Sequence, residues 1–591
     1  MKKSIDSRLR ILAIILIFWG LIIVVSLWYM QVVKGEGYSQ KAARNRIRML
    51  RISPPRGTIF DRNGVVLADN RPSFDVIINP TEVEDRTNLL KSLGDILDIS
   101  PEILSRRMDT FRERPFEPVR LAADIGLEAA TILKEMSPEF SGVDVQVNPI
   151  RHYPYSSAFV HIVGYVGQIN PRELASLSGS GYRAQDDIGK MGVEKAYDHY
   201  LKGIAGVEQL QVNARGYRDK ILNRTEPQPG DDIYLTLDIR AQMILDELME
   251  GWQGAAVALD PRNGDLLAMV SHPSFDPNSL IRPVMKADAD IVFSNPDAPI
   301  LNRALSGEYP PGSPFKLVVS MAGLSSGLIS PQTTYDCTGF FYLGQSTFRC
   351  WRPSGHGPVN LQEAIKHSCN VYFYHLGLEL GVDRISAAAR ALGLGSLSGV
   401  EIEGERDGLV PDRYWKKKLL NEFWYPGDTV NMSIGQGYLL VTPIQMAGLG
   451  CIIANSGILY RPAIIKKITS PVGEIIKESE PIISKKVEFS EEIFGELRAG
   501  MIRVVNDDHG TGVAAAHPLI TVAGKTGTVQ VGRPPEYTTH GWFLAMAPAE
   551  KPEVVLAILL EGAESGGHEA APVAGEFFRR YWEEGNVNKM H

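Results

Sequence analysis

From Ile11 to Met30 the chain reads ILAIILIFWGLIIVVSLWYM, twenty residues without a charge. At about 1.5 Å per residue, a helix of that length crosses a hydrocarbon core of about 30 Å. Whatever else the chain folds into, this stretch must be kept from water, and it predicts a membrane span over residues 11–33. Trp28-Tyr29-Met30-Gln31 offers no small-x-small cleavage site, so the span reads as an uncleaved anchor. Basic residues flank both ends, Lys2, Lys3, Arg8 and Arg10 before it and Lys34, Lys41, Arg44, Arg46, Arg48 and Arg51 after it, so loop charge does not set the orientation. Large domains translocate with little regard to such charge. Residues 1–10 therefore read as a cytoplasmic stub, with the bulk of the chain outside.

That bulk is too long, at 591 residues in all, for a single domain. A net charge of -8 gives no electrostatic basis for holding a polyanion, and a nucleic-acid partner is not expected. Four cysteines, Cys337, Cys350, Cys369 and Cys451, are too few for a disulfide-built scaffold.

After the anchor a basic, helix-permissive stretch reaches Arg51. Pro54-Pro55 then breaks it, and Asp61-Arg-Asn-Gly64 marks a turn between strands. Residues of roughly 80 to 140 read as helical, with Leu89, Leu90, Leu93, Ile96 and Leu97 at helical spacing. The proline-bearing link Glu226-Pro-Gln-Pro-Gly-Asp-Asp232 sets the expected boundary between a mixed region, 34–232, and a second domain, 233–582, with a polar tail at 583–591. In that domain Ala255–Leu259 and Leu266–Val270 form one expected hairpin, and Gly541–Met546 and Val554–Leu560 another. Helical pattern lies between them, clearest over Gln362–Leu380 and Leu439–Ala454. The expected fold is α+β, an antiparallel sheet closed by both ends of the domain and flanked by helices.

Tyr309-Pro-Pro-Gly-Ser-Pro-Phe-Lys316 places a serine and a lysine three residues apart behind a turn. Proline suits a first helical turn, so Ser313 is expected to start a helix with Lys316 on the same face. Alone, such a pair is ordinarily a capped helix and a solvated lysine. Two further motifs follow in order, Ser368-Cys-Asn370 and Lys525-Thr-Gly-Thr528. An acyl-serine mechanism needs a nucleophile, a base, a proton relay and a clamp for a carboxylate. Ser313 and Lys316 supply the first two, provided burial lowers the lysine far enough to be neutral. The Ser368 hydroxyl suits a relay, Asn370 suits a brace for Lys316 or the substrate amide, and Lys525, Thr526 and Thr528 suit a clamp, with Gly527 admitting close approach of a ligand.

The Ser-x-x-Lys, Ser-x-Asn and Lys-Thr-Gly set resembles the signature of penicillin-binding proteins and serine β-lactamases. Arg56–Gly64, Gly192–Tyr197, Ala258–Pro261, Ile434–Gly437 and Thr442–Ala447 extend the resemblance to class B penicillin-binding proteins over nearly the whole chain. That family implies a membrane anchor, a non-catalytic pedestal of dimerisation type and a D,D-transpeptidase domain that cross-links peptidoglycan stem peptides outside the cytoplasmic membrane and is acylated by β-lactams. Its oxyanion hole would be the backbone N–H groups of Ser313 and Thr528. Asp336–Gly339, Arg349–Trp351, Gly355–Gly357 and Ser368–Asn370 are similar to the elongation branch, penicillin-binding protein 2. This implies a SEDS-type membrane glycosyltransferase and other elongation-complex proteins as partners. The alternatives are a hydrolase on the same fold, either a D,D-carboxypeptidase or a β-lactamase, and a non-catalytic penicillin-binding sensor or scaffold.

Cys350, His356 and Cys369 lie within twenty residues, with Asp336 and Cys337 just upstream. Zinc takes such mixed ligands tetrahedrally. Members of the family carry a comparable set, which favours a structural zinc on Asp336, Cys350, His356 and Cys369, with no cofactor needed for the chemistry. Thiolate softness favours Cys337 over Asp336 as the fourth ligand, and a Cys337–Cys350 disulfide is the competing reading. Cys451 reads as core, His540 as the end of a turn, and His568 as a loop histidine.

Overall fold

In the computed structural model, which describes residues 2–36, 47–80, 83, 85–109, 119–136, 140, 142–184, 186–212, 218–281, 286–533 and 536–587, Lys2–Trp28 is one helix that ends in a π turn at Tyr29–Val33. Arg10–Val33 is long and apolar enough to span a bilayer, and its side chains are exposed, Ile17, Phe18 and Trp19 among them. A surface of that kind is stable with lipid as its solvent, and a helix satisfies its own backbone there. Lys41, Arg44 and Arg46 lie outside the described residues. Arg48 and Arg51 fall in a strand, Ile47–Ile52, not in the helix-permissive stretch that local composition suggests. The cause is a distant partner: this strand pairs antiparallel with Gly206–Val212, Ile47 opposite Gln211 and Ile52 opposite Gly206.

The chain packs into two compact units. The first comprises Met1–Pro55, Pro72–Pro149 and Ile204–Gln228, and the second Arg56–Arg71, Ile150–Gly203 and Pro229–His591. In the first, the stretch expected to be helical from about 80 to 140 holds helices Arg86–Leu97, Pro101–Asp109 and Leu127–Glu135, with the strand Val119–Ile125 before the last of them. Asp85 caps the first helix by accepting the Asn88 N–H at 3.1 Å. Leu89, Leu90 and Leu93 share one helical face and pack on Val76, Ile78, Val119 and Leu121 of paired strands.

The second unit is built on a five-stranded antiparallel sheet in the order Leu266–His272, Gln253–Leu259, Val554–Glu561, Glu536–Ala547, Ala523–Arg533. The two expected hairpins are both present. They join where Gln253–Leu259 pairs with Val554–Glu561, Val257 opposite Ala557, so both ends of the domain close one sheet. Every residue of Val554–Leu560 is buried. Successive side chains leave opposite faces of a strand, so both faces of the sheet are covered. One cover is the helix Pro443–Ala454, buried at all but its last residue. It starts four residues later than the apolar pattern suggests, because Val441 pairs with Tyr309 as an isolated bridge and Thr442 caps the helix.

The helix expected over Gln362–Leu380 is two helices, Leu361–Lys366 and Asn370–Ala391. The break falls at Ser368, whose φ of 51° is the left-handed conformation that L side chains rarely adopt.

A buried ionic knot joins two segments of the second unit, Arg56–Arg71 and Ile150–Gly203. Glu194 is fully buried and receives Arg151 Nε at 2.5 Å and Arg56 Nη2 at 2.8 Å, and Arg56 also reaches Asp198 at 2.9 Å. The four charges balance. Burial alone pushes the Glu194 carboxyl up, but Arg151 and Arg56 more than offset it and hold it below its ordinary value. Removing one partner of such a pair leaves an uncompensated buried charge, at a cost of about 3–5 kcal/mol. Glu194→Gln is therefore expected to lower the unfolding free energy by that order at neutral pH, read by denaturant unfolding. Since the folded carboxyl titrates below the unfolded one, the contribution is complete above a pH of roughly 4 and is lost as pH falls through the folded value. Equal stability of the two proteins at pH 7 would contradict the knot's role.

Candidate active site

Ser313 lies in a single 3-10 turn, Ser313–Phe315, that leads into the helix Lys316–Ser325. Gly312 before it has φ 60° and donates its N–H to the Gly435 carbonyl at 2.9 Å, which fixes where the helix begins. Ser313 is half-buried, and its hydroxyl makes no hydrogen bond among the described residues. Lys316 is completely buried in the first turn of the helix.

The Lys316 ammonium faces the break between the two helices at Ser368. Nζ donates to Asn370 Oδ1 at 2.7 Å and to the Ser368 carbonyl at 2.8 Å, with Ser368 Oγ at 3.2 Å. The Asn370 amide nitrogen in turn donates to the Arg349 carbonyl at 3.3 Å, which orients its oxygen towards Lys316. The set also fits an uncharged amine. Its two N–H groups go to two carbonyl-type acceptors, and its lone pair meets a hydroxyl able to donate. The left-handed φ of Ser368 turns both its carbonyl and its hydroxyl to one lysine, an arrangement that a continuous helix excludes.

Burial pulls Lys316 down from its ordinary value to about 8, against the opposing pull of the Cys369, Cys350 and Cys337 thiols. Lys525, also completely buried, is pushed well below its ordinary value by burial and by the nearby charge of Lys316. Its Nζ donates to the Thr526 carbonyl at 3.0 Å. An incoming carboxylate would supply the opposite charge that favours the protonated form of Lys525.

Lys525, Thr526, Gly527 and Thr528 lie on Ala523–Arg533, the edge strand of the sheet. A Cβ on Gly527 would stand 2.6 Å from Pro314 Cδ and 3.0 Å from Trp542 Cβ, so the strand passes directly against the residue that follows Ser313. Trp542 Nε1 ties the next strand to the Pro310 carbonyl at 2.9 Å. The structure therefore brings Ser313, Lys316, Ser368, Asn370 and the Lys525–Thr528 strand to one place. Thr511, which no sequence motif marks, accepts the Thr526 hydroxyl at 2.8 Å. It comes from a loop, and only the folded chain shows the contact.

Beside the helix break lies a second cluster. The sulfurs of Cys337, Cys350 and Cys369 and a ring nitrogen of His356 all lie within 4.8 Å of one another. His356 Nδ1 is 3.5 Å from both Cys337 Sγ and Cys350 Sγ, and all four cysteines are free thiols. Asp336 lies outside this group of ligand atoms. Neighbours on the strand Tyr335–Cys337 point to opposite faces, and pairing with Gly357–Val359 buries Cys337 and leaves Asp336 exposed. His540, read as the end of a turn, is instead a buried residue inside Glu536–Ala547, its ring 5.8 Å from that of Tyr309. His568 is exposed in a π turn, and Cys451 is buried in the helix Pro443–Ala454.

Residues 254–579 match the penicillin binding protein transpeptidase domain, and residues 51–235 the penicillin-binding protein dimerisation domain. The chain belongs to the penicillin-binding protein family. It is 36% identical to the peptidoglycan D,D-transpeptidase MrdA of Acinetobacter baumannii, over 94% of this chain and 84% of that protein. Among solved structures it is similar to penicillin-binding protein 2 (PBP2) of Helicobacter pylori in complex with MreC, with a TM-score of 0.79 and 29% identity over 91% of this chain and 99% of that one. It is also similar to a chain from a peptidoglycan synthase complex that coordinates polymerization and crosslinking, with a TM-score of 0.72 and 30% identity over 98% of each chain. The transpeptidase family needs no cofactor.

Proposed function

We propose that the chain is an elongation-type peptidoglycan D,D-transpeptidase, acylated at Ser313. The observation that carries this reading is the completely buried Lys316, lowered to about 8 and braced by Ser368 and Asn370 beside the Lys525–Thr528 strand. Neutral Lys316 takes the Ser313 proton as Oγ attacks the penultimate D-alanine carbonyl of a stem peptide. The backbone N–H groups of Ser313 and Thr528 receive the oxyanion, and Lys525, Thr526 and Thr528 hold the terminal carboxylate. The C–N bond breaks, the proton passes through Lys316 and Ser368 to the leaving D-alanine amine, and an amine from a neighbouring stem resolves the ester. A β-lactam esterifies the same oxygen through its own carbonyl, and its amine stays tethered in place.

In this reading residues 34–232 form the pedestal and 233–582 the transpeptidase domain, as the two family matches support, although Arg56–Arg71 and Ile150–Gly203 pack in the unit that holds the transpeptidase sheet. Arg10–Val33 anchors the chain in the cytoplasmic membrane with the catalytic domain on the periplasmic side. The similar chain from a synthase complex supports a SEDS-type glycosyltransferase as partner, and the one solved with MreC supports an elongation-complex scaffold of that kind.

Labelling with a fluorescent penicillin tests the chemistry. Wild type is expected to form a long-lived adduct, Ser313→Ala none, and Lys316→Ala to label about 10²–10⁴ times more slowly. Equal labelling of Ser313→Ala would overturn the assignment, and release of the label within seconds would point to a hydrolase.

The sulfur and nitrogen cluster supports a second, structural role. Cys337, Cys350, His356 and Cys369 would hold one zinc ion, which would staple the Tyr335–Val359 region to the start of the Ser368–Asn370 break. The donor set suits the ion: three soft sulfurs and an imidazole, all within 4.8 Å of one another. Protein purified without added metal is expected to carry one zinc per chain by elemental analysis, retained in Asp336→Ala and lost in Cys337→Ala. A metal-free wild type, or loss in Asp336→Ala alone, would refute this ligand set.

A further inference from the structure

Three lysines are buried among the described residues, and two of them, Lys316 and Lys525, belong to the site. The third is Lys416, on the helix Arg413–Leu420. Its side chain is 3% exposed, whereas Tyr414, Leu419 and Leu420 on the same helix are exposed. Burying an ammonium is costly unless it is paired, and this one has a carboxylate partner and two aromatic rings around it. Nζ lies 2.7 Å from Asp428 Oδ2 and 3.5 Å from Glu422 Oε2, and it sits over the rings of Tyr425 and Tyr438 at 5.2 and 5.4 Å.

What those partners belong to gives the lysine its meaning. Asp428 also accepts the Tyr425 N–H at 2.8 Å, so one carboxylate ties Lys416 to the start of the helix Pro426–Ser433. Tyr438 lies towards the other end of the same stretch. Between them, the Gly435 carbonyl accepts the Gly312 N–H at 2.9 Å, and a Cβ on Gly435 would overlap the Gly312 carbonyl. Three residues beyond Tyr438, Val441 exchanges two hydrogen bonds of 2.9 Å with Tyr309. The turn from Tyr309 to Gly312 thus lies on a bed made of residues 425–441, and Lys416 grips that bed at Asp428 and at Tyr438.

We propose that Lys416 is a positioning residue for acyl transfer: it holds the 425–441 bed in register with the turn that presents Ser313, and acts on the reacting hydroxyl through the Gly435–Gly312 contact. This rests on Ser313 being the acylated residue. Small misplacements of a reacting group cost rate far more than they cost binding, because alignment matters most at the transition state. The predicted signature is therefore a split between the two.

Stopped-flow acylation by a β-lactam separates the rate constant at saturation from the dissociation constant of the first complex, and peptide mass mapping locates the adduct. Lys416→Met is expected to lower the saturating rate constant by about ten- to a hundredfold. The dissociation constant is expected to move by less than about threefold, and Lys416→Arg to recover most of the rate by restoring the charge. Tyr438→Leu leaves the Lys416–Asp428 pair intact and is expected to give a smaller loss in the same constant, so the idea stays testable if Lys416→Met does not fold. Glu194→Gln serves as a control destabilised elsewhere in the same unit. A folded Lys416→Met or Tyr438→Leu with the wild-type rate constant would overturn the proposal, as would an equal loss in Glu194→Gln. Failure of the wild type to acquire an adduct on Ser313 would instead defeat the transpeptidase reading beneath it.

Discussion

The site depends on one buried ammonium and the three oxygen atoms that meet it. Lys316 is out of contact with water, and a lysine in that position keeps its place only if its hydrogen-bonding groups are satisfied. The Ser368 carbonyl and the Asn370 side chain do this, and they can do so only because the chain breaks its helix at Ser368 and adopts a left-handed φ there. The strained residue, the interrupted helix and the lowered lysine are thus a single arrangement. Burial lowers the lysine, and the arrangement gives an uncharged amine two acceptors for its N–H groups and leaves its lone pair for a proton donor.

The sheet gives this arrangement its other wall. Its edge strand, Ala523–Arg533, carries Lys525 and passes against Pro314 at Gly527, where a side chain would not fit. The strand can be there because the first and last hairpins of the domain pair with each other, which brings residues more than two hundred positions apart in the chain to the start of one helix. On the opposite side the 425–441 stretch cradles the turn before Ser313. The nucleophile is held by hydrogen bonds and close packing from two directions, and none of those partners is its neighbour in sequence.

The features legible in the sequence are those written in short local strings. Three catalytic motifs, two hairpins and an uncharged apolar run each declare themselves within a few residues, and the matched pair of hairpins is enough to suggest a sheet closed by its ends. What was not legible depends on distant partners. The strand Ile47–Ile52 has its pairing edge about 150 residues away, and the run through Ser368 is apolar at helical spacing, so nothing local announces the break. Cys337 and Asp336 are adjacent, and which one turns inward is set by pairing with Gly357–Val359. Lys416 stands first in Lys416-Lys417-Lys418, and only the fold distinguishes the buried member. His540 looked like a turn residue because glycine follows it, yet the strand runs straight through.

The central claim is that Lys316 acts as a neutral base on Ser313. The most direct measurement is the second-order rate of Ser313 acylation by a β-lactam whose own groups do not titrate, followed from pH 5.5 to 9.5. Protonated Lys316 has no lone pair to offer, so the rate is expected to follow its neutral fraction: rising about tenfold per pH unit at the acid end, bending near pH 8 and levelling above it. A rate that stays flat from pH 6 to 9, or a bend near the ordinary lysine value of about 10.4, would contradict the account.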